Sequence, residues 1–309
     1  MKILICGATG FIGRNLLENL SKNKDNEITG VFFDTPAPKL NSINFIRADL
    51  RIYEQVQSLV VNYDVVLQYA AKVSNILNDP QMIDNVLITL NLIKASVESK
   101  VKHFIFPSCG YLYNNGETPF REKDIDYSNL PENYFAATWS KVYCEKMCQY
   151  FSSKSNTKFT VIRQANIYGR YDKLDINHAH ALSSLIIKTI KATENLEVWG
   201  DGNQKKDILH VEDLCNFIDL VIHNKKNQFD LINIGSGEFV TMTEIAEKII
   251  KASNKHLKIN YNSSKPSSNV RWRLDYSLAE KEFYWHPKIK ISDGIQQTYD
   301  WYSGQISDN

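Results

Sequence analysis

The sequence has no excess of charge of either sign and no long apolar run. Its 36 basic and 35 acidic residues leave a formal net charge of +1 over 309 residues, without a long basic run. Binding to nucleic acid or to an anionic membrane surface needs a concentrated positive field, so neither is expected as a partner. A membrane span needs about 20 consecutive apolar residues, and no stretch of the sequence reaches that length. A length of 309 residues is enough for one large core, or for one large and one small domain.

Cysteine is scarce, and its spacing argues against disulfide or metal chemistry. The five cysteines are odd in number and form no CxxC pair, which favours reduced thiols in a cytoplasmic protein. Cys144 and Cys148 lie four residues apart on a predicted helix, where a buried face is expected rather than a metal site. The apolar run Ile3–Cys6 is too short for the core of a signal peptide. We therefore expect a cytoplasmic protein without a bound metal.

Short apolar, β-branched segments alternate with helical patterns through the first half of the chain. This alternation predicts a parallel sheet covered by helices on both faces. The pattern loosens after residue 166, where a smaller domain could pack on the first and leave a ligand-binding cleft. Strands are predicted at 2–6, 28–33, 64–68, 103–107, 158–163, 206–210 and 231–234. Helices are predicted at 12–22, 52–60, 81–99, 135–153, 179–192, 211–223 and 242–252, and a polar loop at 262–269.

A glycine-rich turn follows the first predicted strand. Gly7, Gly10 and Gly13 suit a tight turn, close approach of the backbone to a pyrophosphate, and packing of the next helix on the strand. The start of that helix offers free N–H groups to phosphates. Asp34 follows at the end of the next strand, where a carboxylate accepts hydrogen bonds from a ribose 2′-hydroxyl and repels a 2′-phosphate. The pattern predicts a dinucleotide site that favours NAD over NADP, rather than a glycine turn without a ligand.

Motifs of one family run through almost the whole chain. Besides the glycine turn they are Ala48-Asp49-Leu50, Gln68 to Lys72, Asn85 to Asn91, Asn166 to Gly169, Trp199 to Gly202 with His210 to Leu214, and Asn233 to Gly237. In these motifs the chain resembles the extended short-chain dehydrogenase/reductase family, the NAD-dependent nucleotide-sugar epimerases and dehydratases. The resemblance is closest to GDP-fucose synthase-like members, through the segments 70–76 and 177–182.

The resemblance implies an α/β fold, a Rossmann-type doubly wound parallel sheet with a smaller mixed α/β C-terminal domain. Residues 1–165 and about 207–235 would bind NAD, and residues 166–206 and 236–309 would bind a nucleotide-diphosphate sugar, with GDP-sugars favoured. The implied activity is hydride transfer at C4 or a neighbouring carbon of the sugar, by a homodimer. Implied NAD contacts are Gly7, Thr9, Gly10, Phe11, Ile12, Gly13, Asp34, Asp49, Leu50, Ala70, Ala71, Lys72, Ser108 and Lys141.

The catalytic tyrosine of this family is missing from its expected position. The family places a tyrosine four residues before a lysine, so that both share one helix face. The lysine holds the nicotinamide ribose and lowers the pKa of the tyrosine, which exchanges a proton with the sugar hydroxyl. The segment Ser140 to Glu145 fits the lysine motif with Lys141. The position four residues earlier is Ala137.

A second departure lies at the end of the predicted strand 103–107. Tyr113 matches a tyrosine that ends this segment in the family. Counting back places Cys109 where the family has a catalytic serine or threonine, and a thiol is a weaker hydrogen-bond donor than a hydroxyl. Tyr111 stands where GDP-fucose synthase-like enzymes keep a cysteine that handles protons. Each of Cys109 and Tyr111 could equally be a packing residue.

Four hypotheses account for Ala137. Tyr111 could act as the acid/base from the facing loop. Tyr134 could reach in, although seven residues place it ~10 Å from Lys141 along the helix axis. Ala137 could be an engineered replacement of tyrosine. Finally, the protein could need no base there, or could be a catalytically impaired protein that binds NAD and a nucleotide sugar.

The resemblance also implies residues on the substrate side. Asn166, Trp199, Lys206 and Arg271 would line the cleft, with Arg273 as an alternative to Arg271 for the diphosphate. Lys206 replaces a family arginine, which exchanges a planar fork for a point charge. The general-acid histidine of the GDP-fucose synthase-like enzymes maps to His180, whereas His210 is expected to be structural.

Overall fold

The computed structural model describes residues 1–40, 43–72, 82–132, 135–176, 178–224, 226–265 and 271–307. Among these residues no helix combines the length and the apolar character needed to cross a bilayer. The strands are β1 (Lys2–Cys6), β2 (Glu27–Phe32), β3 (Asn44–Arg47), β4 (Val65–Gln68), β5 (His103–Cys109), β6 (Lys158–Gln164), β7 (Asn166–Tyr168), β8 (Asn195–Trp199), β9 (Lys205–Lys206), β10 (Ile208–His210), β11 (Phe229–Ile234), β12 (Val240–Thr241) and β13 (Lys258–Asn262). The helices are α1 (Phe11–Leu20), α2 (Tyr53–Leu59), α3 (Ile83–Glu98), α4 (Phe135–Ser152), α5 (Ala181–Lys191), α6 (Val211–Asn224), α7 (Met242–Ser253), α8 (Ser277–Phe283) and α9 (Ile291–Ser307).

Seven strands form the central sheet in the order β11-β6-β5-β4-β1-β2-β3. Every neighbouring pair is parallel. The chain builds outward from β1 through β2 to β3, and then crosses to β4 and builds in the opposite direction. Ligands of such sheets bind beyond the carboxyl ends of the strands at this reversal, which lies between β1 and β4. The predicted doubly wound parallel sheet is confirmed.

Both faces of the sheet are buried, because successive side chains of a strand point to opposite faces. Ile3 and Ile5 pack with α1 and α6 on one face. Leu4 and Cys6 pack with α2, α3 and α4 on the other. Cys144 belongs to this second core, as does Cys148, so the expected buried helix face is confirmed.

A separate apolar core lies in the second half of the chain. Helices α5, α7 and α9 pack with the paired strands β8 and β13 around residues such as Ile186, Val198 and Ile249. Two further pairs connect this region to the sheet: β7 pairs with β10 in parallel, and β9 pairs with β12 in antiparallel fashion. This arrangement is the smaller mixed α/β part that was expected.

The predicted strand 206–210 is two strands separated by Asp207. The Asp207 carboxylate is fully buried and accepts hydrogen bonds from the backbone N–H groups of Ser236 and Leu274, so it interrupts the strand. The predicted loop 262–269 begins one residue later than expected, since Asn262 ends β13, and residues 266–269 lie outside the described residues. Asp34 stands two residues beyond the end of β2 rather than within it.

Candidate active site

The glycine turn closes tightly between β1 and α1. Gly7 has φ +77°, and a Cβ there would lie 2.5 Å from the Tyr69 carbonyl oxygen. A Cβ on Gly13 would lie 2.1 Å from the Gly7 carbonyl oxygen. Gly10 caps α1 without a side-chain hydrogen bond, so the N–H groups of the first helical turn have no side chain over them. Such a turn admits a phosphate to the helix N-terminus.

A groove of about 330 Å³ extends from this turn across the carboxyl ends of β1, β2 and β4. The groove and the turn fit a dinucleotide for two reasons. Glycine leaves the backbone N–H groups at the start of α1 open to phosphates, and the Asp34 carboxylate lines the groove. Nine of the expected NAD contacts line it: Gly7, Thr9, Gly10, Asp34, Asp49, Leu50, Ala70, Ala71 and Lys72. Phe11, Ile12 and Gly13 lie in the first turn of α1. Ser108 lies at the end of β5, and Lys141, on α4, donates a hydrogen bond to Pro107 of β5.

An ion-pair network that the sequence did not reveal lines the groove. The Arg51 guanidinium donates from Nε to Asp49 Oδ1 at 2.9 Å and from Nη2 to Oδ2 at 2.7 Å. A third bond reaches Asp84 at 3.3 Å. The hydrogen bonds from Arg51 hold the pKa of Asp49 below its usual value. Asp34 is exposed, and its carboxylate remains accessible to a ligand. Arg51 directly follows the Asp49-Leu50 motif, and this adjacency was the available signal.

Lys141 connects α4 to the end of β5. Its Nζ donates to the Pro107 carbonyl oxygen at 2.6 Å and lies 4.7 Å from the centre of the Phe106 ring. Ala137 is one helical turn earlier on α4, and is therefore on the same face as Lys141. Its methyl group is half-buried. Tyr134, the other candidate on this segment, lies outside the described residues.

The last residues of β5 carry two of the expected polar groups. Ser108 is buried, and its hydroxyl has no hydrogen-bond partner within the described part of the chain. Burial raises the pKa of the half-buried Cys109 thiol, and the nearby charge of Lys141 opposes that shift only in part. Cys109 is therefore a neutral thiol at neutral pH, a weak donor and not a base.

Tyr111 lies just after the end of β5 and reaches β7. Its hydroxyl donates to Asn166 Oδ1 at 2.7 Å, and the Asn166 Nδ2 donates to the Asp207 carbonyl oxygen at 2.8 Å. The phenol ring meets Trp272 edge to face, with 5.3 Å between ring centres. A Cβ on Gly110 would lie 2.3 Å from the Trp272 ring, so glycine is needed for this close approach. The structure brings Tyr111 and Asn166, two of the predicted site residues, into contact.

His180 is the N-terminal cap of α5. Its ring centre lies 6.5 Å from that of Phe11, in the first turn of α1. Its Nδ1 lies 2.9 Å from both carboxylate oxygens of Asp172. The hydrogen bond to Asp172 raises the pKa of His180. Sequence reasoning did not identify Asp172. His210, by contrast, is buried against Tyr168, in keeping with a structural role.

Basic residues of the second half gather around Glu117. Arg271 forms an ion pair with its carboxylate at 2.8 Å, and Lys205 approaches the same group at 3.3 Å. Arg273 donates to the Glu117 carbonyl oxygen at 3.0 Å. Lys206, next along β9, is half-buried, and desolvation lowers its pKa.

Trp199 belongs to a different cluster at the end of β8. It is 47% exposed, and its indole N–H donates to Glu197 at 2.6 Å. The ammonium groups of Lys188 and Lys265 lie 5.0 Å and 5.6 Å from its ring. Glu197 also pairs with Lys188 at 3.3 Å. Neither Glu117 nor Glu197 was identified from the sequence.

Comparison with known proteins places this geometry in a family. The model of the NAD dependent epimerase/dehydratase family matches residues 3–235. The chain is 27% identical over 315 residues to GDP-L-colitose synthase of Yersinia pseudotuberculosis, covering 98% of each protein. It is also 27% identical over 321 residues to GDP-L-fucose synthase of Sinorhizobium fredii, covering 100% of this chain and 97% of that protein.

A solved structure agrees in fold. Crystalline UDP-glucose 4-epimerase of Thermotoga maritima, determined with UDP-glucose, superposes with a TM-score of 0.89 at 22% identity, over 99% of this chain and 100% of that one. The expected resemblance, the NAD cofactor and the enzyme class are confirmed by the family match. The chain belongs to the NAD-dependent epimerase/dehydratase family.

Proposed function

We propose that this protein transfers hydride between NAD and C4, or a neighbouring carbon, of a nucleotide-diphosphate sugar, as an epimerase or reductase. One observation carries the proposal: the hydroxyl of Tyr111, at the end of β5, is bound to Asn166 on β7. In this proposal, a proton-carrying group would stand between the cofactor and the substrate. The names of the relatives from Yersinia and Sinorhizobium, both GDP-sugar synthases, support the substrate class and favour a GDP-sugar.

The NAD site would be built by the groove and the glycine turn. In this proposal the first turn of α1 receives the pyrophosphate, and Asp34 accepts hydrogen bonds from the adenosine ribose. Lys141 holds the nicotinamide ribose and exchanges its bond to the Pro107 carbonyl oxygen for that contact. When bound, NAD supplies the acceptor or donor of hydride at the sugar carbon.

The chain itself has to move a proton at the sugar oxygen. We assign that task to Tyr111, which takes the place of the tyrosine missing at position 137. As a phenol it donates a proton when a ketone is reduced, and as a phenolate it accepts one when a hydroxyl is oxidised. Cys109, as a neutral thiol, would help to orient the oxygen, and His180 would act as a second proton donor. Tyr134 remains the alternative to Tyr111.

The nucleotide would bind in the second half of the chain. Because Glu117 pairs with both Arg271 and Lys205, a diphosphate would compete with this carboxylate for the two cations. Lys206 and Trp199 would contact the nucleotide from β9 and β8. In this proposal residues 166–206 and 236–309 form the substrate domain.

A homodimer is proposed from the outer faces of α3 and α4. Ile83 and Leu87 are exposed one turn apart on α3, and Phe135, Trp139 and Tyr143 are exposed at four-residue spacing on the adjacent α4. Two copies joined through these faces would bury the apolar stripe in a four-helix bundle. Trp139→Glu should convert the dimer into a monomer in analytical ultracentrifugation. A wild-type protein that sediments as a monomer would contradict this assignment.

The test of the proposed function is direct. Purified protein is denatured, released nucleotides are identified by mass spectrometry, and NADH absorbance is then followed as candidate GDP- and UDP-sugars are added. Hydride transfer with at least one nucleotide sugar is expected, in a cytoplasmic reaction compatible with the five free cysteines. Tight binding of a sugar nucleotide without transfer to or from NAD would favour the alternative, a catalytically impaired binding protein.

A further inference from the structure

A buried carboxylate, that of Asp172, binds the Nδ1 side of the His180 ring. Asp172 is 3% exposed, and both of its oxygens lie 2.9 Å from His180 Nδ1. Its Oδ2 also accepts the Ser183 hydroxyl at 2.6 Å, and its Oδ1 accepts the Lys173 N–H at 2.8 Å. A buried carboxylate with only donors around it is ionised. The imidazole therefore presents a hydrogen on Nδ1, in its neutral and its charged form alike.

The consequence is a fixed direction for the other ring nitrogen. With Nδ1 bound to Asp172, Nε2 projects away from the buried side, and the His180 side chain is 58% exposed. The Phe11 ring, 6.5 Å away, keeps this histidine beside the glycine turn. We propose that Asp172 is a positioning residue that orients His180 with Nε2 toward the substrate cleft and holds it charged as a proton donor. This inference rests on the proposed function.

The charges around the pair are few. Lys173, from the same loop, opposes protonation of His180, and the hydrogen bond to Asp172 outweighs it, so the pKa of His180 is raised. From α9, the Tyr302 hydroxyl binds the Lys173 carbonyl oxygen at 3.3 Å, and burial raises the pKa of Tyr302, so this phenol stays neutral. Phe11 on α1 and Ser183 on α5 are uncharged. Asp172 is thus the anion that governs this imidazole.

The pKa of Asp172 itself supports an ionised carboxylate. Burial acts to raise that pKa, but the hydrogen bonds from His180 and Ser183 outweigh burial and hold it below its usual value. Because the His180 pKa is raised, the charged imidazole persists to higher pH than in an isolated histidine. Proton donation is therefore expected to fail as pH rises through the raised pKa of His180.

The chain offers a matched control two residues away. His178 Nδ1 lies 2.5 Å from Asp175 Oδ2, but the two side chains are 61% and 52% exposed. Exposed pairs interact weakly because water and salt screen them. Asp175→Asn therefore removes the same chemical group from a histidine–carboxylate pair that is exposed to solvent.

The first experiment needs no turnover. The ring nitrogens of the histidines are titrated by NMR in the full-length protein and in Asp172→Asn, Asp175→Asn and Ser183→Ala variants. Asp172→Asn should lower the pKa of His180 and leave that of His178 in place, whereas Asp175→Asn should leave His180 unchanged. Ser183→Ala should raise the pKa of His180 slightly, because Asp172 loses a competing donor. A folded Asp172→Asn protein with an unmoved His180 pKa would overturn the proposal.

The second experiment separates positioning from general stabilisation. His180→Gln should reduce kcat about 10²-fold, and Asp172→Asn should reduce it less while moving the alkaline fall of the pH profile to lower pH. In the His180→Gln background, Asp172→Asn should cost nothing further, because Asp172 acts through His180. Additive losses would contradict the proposal.

Absence of hydride transfer by the wild-type protein would contradict the proposed function instead, and the NMR titration would still decide whether Asp172 controls the pKa of His180. If the Asp172→Asn protein does not fold, the Ser183→Ala variant tests the proposal, because its His180 pKa should rise; an unchanged pKa would then overturn the proposal.

Discussion

The hydroxyl of Tyr111 and the side-chain amide of Asn166 form a 2.7 Å hydrogen bond between the end of β5 and β7. The two residues are 55 positions apart in the chain and come from different halves of the molecule. Asn166 is held in turn by the Asp207 carbonyl oxygen, so its amide oxygen has a fixed direction. The Tyr111 phenol is thereby held from β7, whereas Ala137, where the family's tyrosine would stand, lies on α4.

Replacement of Tyr111 by phenylalanine tests this role. Tyr111→Phe keeps the ring packed against Trp272 and removes only the proton-carrying oxygen, so turnover should fall by about 10²-fold or more. NAD affinity should be unchanged, as measured by fluorescence titration. Tyr284→Phe is the control, because Tyr284 is 88% exposed. Equal activity of the two variants would show that Tyr111 is a packing residue.

Position 137 offers the reciprocal experiment. Ala137 shares the α4 face of Lys141, so a tyrosine there would place a phenol beside the lysine, as in the family's motif. We expect Ala137→Tyr to restore turnover to the Tyr111→Phe variant. A rise of several orders of magnitude in the otherwise unaltered protein would instead indicate that position 137 had held tyrosine and that Tyr111 is not its replacement. Steady-state kinetics at saturating NAD distinguish the two results.

Asp34 should determine the choice of cofactor. Its exposed carboxylate lines the groove beyond β2, where it would bind a ribose 2′-hydroxyl and repel a 2′-phosphate. Asp34→Ser should raise the Kd for NAD by about tenfold, the equivalent of one charged hydrogen bond, and should reduce discrimination against NADP. Isothermal titration with both cofactors measures this. Unchanged selectivity would assign the discrimination to another residue of the groove.

The central sheet could be predicted because its signals are local. A short apolar run such as Ile3–Cys6 is typical of a strand buried on both faces. The turn after it requires glycine, because a side chain at position 7 or 13 would collide with the backbone. The strand at 44–47 was missed because three of its four residues are exposed at a sheet edge. Helix α9 was not predicted, because the prediction relied on strands alternating with helices and α9 follows another helix, α8, without a strand between them.

The candidate site was predictable only in part. The family resemblance predicted Lys141 and His180 as site residues, since each lies within a recognisable segment. The sequence did not reveal the roles of Asp172, Glu117 and Arg51. Glu117 pairs with Arg271, which is distant in sequence. Asp172 and Arg51 pair with the nearer His180 and Asp49, but the sequence does not show these pairings. A carboxylate's role depends on what faces it after folding, and charged residues are too common for their spacing alone to reveal the pairing.

A buried ion pair beneath the site provides a final prediction, about stability. Arg163 on β6 donates to both carboxylate oxygens of Glu145, at 2.9 Å and 2.6 Å, and the two side chains are 0% and 2% exposed. Glu145 lies one turn after Lys141, so the pair fixes α4 against the sheet. Glu145→Gln leaves the guanidinium buried without its counter-charge, and should lower the free energy of unfolding by about 3–5 kcal/mol in urea denaturation. Glu27→Gln removes the carboxylate from an exposed pair with Lys2 and should change it by less than about 1 kcal/mol. Similar losses in the two variants would mean that the buried pair contributes no more than the surface one.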